Sequence, residues 1–117
     1  MFLKLDHQHL RIYGLSRILV LECYKFSRFL PPDERFGMVS QIRRAALSVH
    51  LNIAEGASRQ SVGERKRFYE ISRSSLVEID AAFDLANDLN YTNNFDMKPL
   101  EEAVVNCFKH LCGMLKA

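Results

Sequence analysis

Arg43, Arg44 and His50 fall on one predicted helix and are the residues of this sequence closest to a catalytic arrangement. Arg44 precedes His50 by six positions, and Arg43 precedes it by seven, which puts Arg43 and His50 on a shared face. Imidazole moves protons near neutral pH and guanidinium grips phosphate, so such a pair suits acid–base cleavage of RNA. One arginine and one histidine at loose spacing equally describe an ordinary surface or interface histidine. A larger set comprises Arg43, Arg59, Arg65, Lys66, Arg67 and Arg73, with Arg44 beside them. The stretch from Arg59 to Arg67 spans a predicted turn and opens the next helix, where open N–H groups and cations together favour phosphate. These residues form a candidate nucleic-acid-binding surface. The alternative is a solvated face paired with Glu55, Glu64 and Glu70. Single-stranded bases are read largely by aromatic stacking, and Tyr69 is the one aromatic placed to stack there.

Metal chemistry is poorly supported. Asp6, His7 and His9 offer ligand types without a second cluster, and His110 between Cys107 and Cys112 makes no matched ligand face. The sequence carries no phosphate loop, nucleophile–base triad or paired-carboxylate signal. The expectation is a non-catalytic binding or scaffold protein that contacts RNA or a ribonucleoprotein through its basic surface, with no metal, no cofactor and no small-molecule substrate. The alternative is a protein–protein adaptor or structural ring with no nucleic-acid role, and the remote alternative is ribonuclease action through His50.

A second polar pattern lies on the helix that carries the arginines. Gln41, Arg44, Ser48, Asn52 and Glu55 line up as a narrow stripe between two apolar arcs. One arc holds Met38, Ile42, Ala45, Ala46, Val49 and Ile53; the other, on the far side, holds Leu47, Leu51 and Ala54. A helix exposed on one side needs one apolar face. This helix needs cover on two sides and partners for its stripe. The stripe is expected to be a buried hydrogen-bond network that fixes helix register or a subunit contact, and otherwise the lining of a polar pocket or channel. Arg44 and Glu55, eleven residues apart, must pair with other helices.

The elements that position these residues are helical throughout. The chain has 117 residues, 48% of them hydrophobic and 26% charged, with 3 prolines and 5 glycines, which suits one domain with a core of its own. Four helices are predicted, over about 10–30, 34–55, 62–90 and 97–116. The first ends at Pro31–Pro32, the second is capped by Gly56, and the third starts at a Ser61/Glu64 capping box. Its inner face is predicted to hold Phe68, Ile71, Ser75, Leu76, Ile79, Ala82, Phe83, Ala86 and Leu89. Asp96 is expected to cap the fourth helix, whose seam is Leu100, Val104, Cys107, Leu111 and Met114. Short connections imply an antiparallel up-down-up-down four-helix bundle. Helices one and two carry surplus apolar surface, which implies a homo-oligomer.

Charge is segregated along the chain. Residues 35–73 carry eight basic and three acidic side chains, and residues 74–117 carry three basic and seven acidic. Such segregation fits an anionic partner or basic helices pairing with acidic ones, within or between subunits. Three cysteines without metal spacing read as thiols in a reducing compartment, and the absence of a leader or membrane-length run implies a cytoplasmic protein with no membrane contact.

The motifs Phe29-Leu30-Pro31, Glu34-Arg35-Phe36-Gly37-Met38, Ser40-Gln41-Ile42-Arg43-Arg44-Ala45, Ser48-Val49, Asn52-Ile53-Ala54-Glu55-Gly56 and Arg67-Phe68-Tyr69 resemble, in order and spacing, a bacterial four-helix-bundle family. It is the family encoded within intervening sequences of 23S ribosomal RNA genes. The resemblance implies a left-handed bundle assembled as a ring-like homopentamer, a role in RNA binding, and no catalytic activity. It also implies kinship with the accessory proteins of diversity-generating retroelements, which bind RNA and a reverse transcriptase through a basic surface. His50 stands where the family often has proline. Ser74 stands where it has glycine, which is expected to loosen a close helix contact.

Overall fold

Leu30 adopts an extended backbone (φ −65°, ψ 149°) because the following proline excludes the helical region, and the first helix stops there. The structure, a computed structural model, describes residues 1–117 with every side chain except that of His7. Four long helices make up the fold: α1 (Arg11–Phe29), α2 (Met38–Ala57), α3 (Val62–Asp88) and α4 (Lys98–Lys116). Short 3-10 turns cover Asp6–His9 and Pro32–Glu34, and no strand occurs among the described residues. No helix is long and apolar enough to cross a membrane.

The helix boundaries follow local chemistry. α2 starts at Met38, four residues later than its predicted start. Gly37 takes a non-helical conformation (φ −107°, ψ −102°), and Glu34 Oε1 accepts from Met38 N at 3.2 Å, so Glu34 serves the helix start from outside it. Gly56 is not the cap of α2: it is a buried helical residue, and the cap is Ser58. Ser61 Oγ accepts from Glu64 N at 3.1 Å and begins α3 as expected. α3 ends in a Schellman turn, with Tyr91 N donating to Ala86 O (2.9 Å) and Asn90 N to Asn87 O (3.0 Å). Asn90 supplies the left-handed residue (φ 64°) that glycine usually provides. Before α4, Asp96 Oδ1 accepts from Lys98 N at 3.2 Å, although Met97 holds the cap position.

Packing runs in a closed circuit. α1 packs on α2 and α4, and α3 packs on α2 and α4, while α1 and α3 lie diagonally and meet across the core through side chains such as Phe26 and Phe83. The arrangement is compatible with a four-helix bundle. The core takes Ile12, Leu19, Cys23 and Phe26 from α1; Ile42, Ala46, Val49 and Ile53 from α2; Leu76, Ile79 and Ala86 from α3; and Leu100, Cys107 and Leu111 from α4. At one end Phe26 receives the edges of Phe83 (5.4 Å) and Phe95 (5.1 Å).

Two parts of the predicted inner face of α3 turn outward. Ile71 and Leu89 are exposed, while Tyr69 and Ser72 are buried in their stead. Near its start α3 turns Tyr69 and Ser72 toward α2, which moves Ile71 outward, and Leu89 is the cap residue beyond the last helical turn. Gly56 lets the two helices approach there: a Cβ at this position would lie 2.9 Å from Phe68 Cβ and 2.9 Å from Tyr69 Cε1. Ser74, by contrast, is exposed.

Candidate nucleic-acid interface

The arginines of α2 go to different neighbours. Arg43 Nε donates to Ser27 Oγ at 2.7 Å, and its guanidinium lies 4.8 Å from the Tyr24 ring, so it ties α2 to α1. Arg44 turns to α3, where Nη2 meets Glu78 Oε2 at 2.7 Å and Gln41 Oε1 at 3.1 Å. His50 turns to α1: its Nδ1 is 2.6 Å from Ser16 Oγ, and its ring stands 4.4 Å from that of Tyr13. Arg44 and His50 therefore face opposite neighbours and do not converge on one substrate position. Of the Asp6, His7 and His9 set, the side chain of His7 lies outside the described residues.

The polar stripe is only partly buried. Gln41, Arg44 and Glu55 are exposed, and Ser48 and Asn52 are half-buried. It does form a network across α2 and α3. Ser75 Oγ donates to Ser48 Oγ at 2.8 Å, and Asn52 Nδ2 donates to Ser48 O at 2.8 Å. Ser72 Oγ, fully buried, donates to Val49 O at 2.9 Å. Arg44 pairs with another helix as expected, but Glu55 does not: its partner is Arg59 at 3.6 Å, one turn on. The stripe is thus the lateral seam between two helices, and the part beyond it, Leu47 and Leu51, stays exposed.

The remaining cations gather at the α2–α3 turn. Arg59 lies over Phe68 (4.8 Å). Arg65 Nη1 donates to the Arg59 and Gln60 carbonyls at 3.0 and 2.7 Å and braces the turn. Arg67 is exposed. Lys66 Nζ donates to the Ala117 carbonyl, which draws the end of α4, with Lys116, against the start of α3. Arg11 shares a hollow with Lys109 and His110 on the adjoining α1–α4 side. Arg73 stands apart, its Nη1 3.8 Å from Cys112 Sγ. Tyr69 is 7% exposed and cannot stack on a base; burial raises its phenol pKa, with Arg65 opposing.

The structure therefore separates the predicted binding set. Arg59, Arg65, Lys66 and Arg67 share one end of the molecule; Arg43 and Arg73 are engaged along its sides. Lys116 was missed, because it belongs to a net-acidic third of the chain and only the packing of α4 on α3 brings it to the basic end; Arg11 and Lys109 line a separate hollow between α1 and α4.

No curated protein matches the chain. A family model described as 23S rRNA-intervening sequence protein matches residues 8–113, a span that takes in all four helices. On that match the chain belongs to the 23S rRNA-intervening sequence protein family.

Proposed function

We propose that the protein is a non-catalytic, self-associating binding protein that grips RNA through the basic end of an up-down-up-down bundle. The observation that carries the reading is the collection of Arg59, Arg65, Lys66 and Arg67 with Lys116 at one end. Phosphate contact is additive and needs no base-reading aromatic, so cations at one end suffice for affinity without sequence preference. The family name supports ribosomal RNA as the first RNA to try.

The topology is supported by facing residues whose numbers rise on one helix as they fall on the next. Ser16 meets His50 and Ser27 meets Arg43; Val49 meets Ser72 and Arg44 meets Glu78; Lys66 meets Ala117 and Arg73 meets Cys112. Self-association, into the ring-like pentamer that the family resemblance implies, is supported by exposed apolar side chains on α1 and α2, among them Ile18, Leu21, Leu47 and Leu51. A ring would repeat the basic end and multiply its avidity.

Fluorescence anisotropy against a structured 23S ribosomal RNA fragment, across a salt series, tests the RNA reading. Saturable binding with a steep salt slope, lost in an Arg65→Ala/Lys66→Ala/Arg67→Ala variant that keeps its helicity, is the expected result. Absence of binding even at low salt would overturn it. RNA cleavage by the purified protein, abolished by His50→Ala, would overturn the non-catalytic part.

A further inference from the structure

The outer face of α1 and the outer seam of α3 and α4 are complementary in shape and charge. On α1, Ile18 and Leu21 are 52% and 62% exposed. Arg17, Lys25 and Arg28 surround them, all exposed. At 100° per residue these five fall on the arc turned away from Ile12, Leu19, Cys23 and Phe26. Two carboxylates, the half-buried Glu22 and the exposed Glu102, line the hollow between α1 and α4 that Ile18 borders on one side. This face is a basic, apolar and exposed helix surface.

On the other side of the molecule, α3 and α4 leave two adjoining hollows of about 310 and 600 Å³ that share Asp80, Val104 and Val105. Val77, Val105 and Phe108 expose apolar surface along this groove. Asp80, Asp84 and Glu101 edge it, with Lys109 at one end. The acidic edge disfavours RNA and anionic lipid as occupants. It favours a basic amphipathic helix, and this chain carries one. The lengths agree: Arg17 to Arg28 spans about 16 Å along α1, and Met97 to Lys109 about 18 Å along α4, at about 1.5 Å per residue.

We infer that α1 of one copy seats in the α3–α4 groove of the next, with Ile18 and Leu21 on Val77, Val105 and Phe108, and Arg17, Lys25 and Arg28 facing Asp80, Asp84 and Glu101. The inference rests on the self-association proposed above and names its two surfaces. The donor residues lie on the arc of α1 turned away from the core, and the groove lies between α3 and α4, so the two belong to different sides of one molecule. Such a contact is head-to-tail: each copy gives one face and receives another, and the chain of contacts closes into a ring if the rotation allows. The same assembly accounts for the opposite charge of the two surfaces, since like-charged partners would repel.

Two variants test it by light scattering. Leu21→Glu/Arg28→Glu spoils the donor face, and Val105→Arg/Asp84→Arg spoils the groove; all four positions are exposed, so helicity by circular dichroism should be kept. Wild type is expected to be a closed oligomer and each variant a 13.5 kDa monomer. An equimolar mixture of the two variants is expected to give twice the 13.5 kDa chain mass, because one intact face of each still fits the other. Variants that stay oligomeric while wild type is oligomeric would overturn this interface and leave self-association standing, as would a mixture that stays monomeric. A wild type monomeric at high concentration would overturn both. If either variant loses helicity, Leu21→Cys/Phe108→Cys on a Cys112→Ser background reports instead. A short bis-maleimide is expected to give a ladder of covalent oligomers, and its absence would overturn the interface.

Discussion

Gly56 shows how much one hydrogen atom decides at the residue scale. Its sequence position beside a polar turn suggests a helix cap, yet its role is to let Phe68 and Tyr69 approach the backbone of α2. Alanine would gain about 1 kcal/mol of helix propensity. The contacts at 2.9 Å to side chains fixed on α3 cost more, about 1–3 kcal/mol for overpacking. Gly56→Ala is therefore expected to lower the urea midpoint, and a raised midpoint would refute the close approach. The cysteines provide a second residue-scale test. Burial pushes the thiols of Cys23 and Cys107 up to about 12. Between pH 9 and 12 an unfolded chain would release these protons while the fold retains them. Each thiol thus costs stability at about 1.4 kcal/mol per pH unit in that window and nothing below it. Replacing Cys23 with alanine is expected to flatten the alkaline loss of stability, measured as Tm against pH. At pH 8, Cys112 is expected to react with a thiol reagent well before the two buried cysteines.

Among the elements, α3 joins two different interfaces, and its sequence reflects both. Its first half meets α2 through small polar side chains, Ser72 and Ser75, that satisfy each other or a carbonyl. Ser72→Val removes the buried hydroxyl and crowds Val49; a loss of about 1–2 kcal/mol is expected in urea unfolding. The exposed Arg44–Glu78 pair on the same seam should matter less, about 0.2–1 kcal/mol, and a double-mutant cycle would separate the two. At the ends of the helix, Ser61→Ala is expected to cost about 1 kcal/mol through the lost cap. Glu34 works across elements: it accepts from Met38 N and from Tyr91 Oη (2.9 Å), clamping the start of α2 to the turn after α3. That hydrogen bond to a carboxylate, first among the causes, raises the Tyr91 phenol pKa.

For the whole molecule, the charge pattern along the sequence becomes a pattern in space. Lys116 leaves the acidic third of the chain and joins the basic end, while Arg43 and Arg73 leave the basic third and serve side contacts. If the basic end holds RNA, Arg67→Ala and Lys116→Ala should each reduce the salt slope of binding by about one. Arg73→Ala should leave that slope unchanged. The reverse order of effects would place the RNA along the side of the bundle.

Sequence periodicity alone determined the four helices and most of the core, because a helix must repeat its buried face every three or four residues whatever it packs against. Capping chemistry set the start of α3 for the same local reason. The motifs from Phe29 to Tyr69 also settled the family, which the match over residues 8–113 bears out. Tertiary structure decided what local pattern could not contain. It assigned Gly56 to a helix crossing, turned Tyr69 inward and Ile71 outward, sent Arg44 and His50 to opposite neighbours, and brought the end of α4 to Lys66 at the start of α3. Each of these depends on which helix lies beside which. A residue's own repeat tells that it needs a neighbour, and only the packed chain says which neighbour comes.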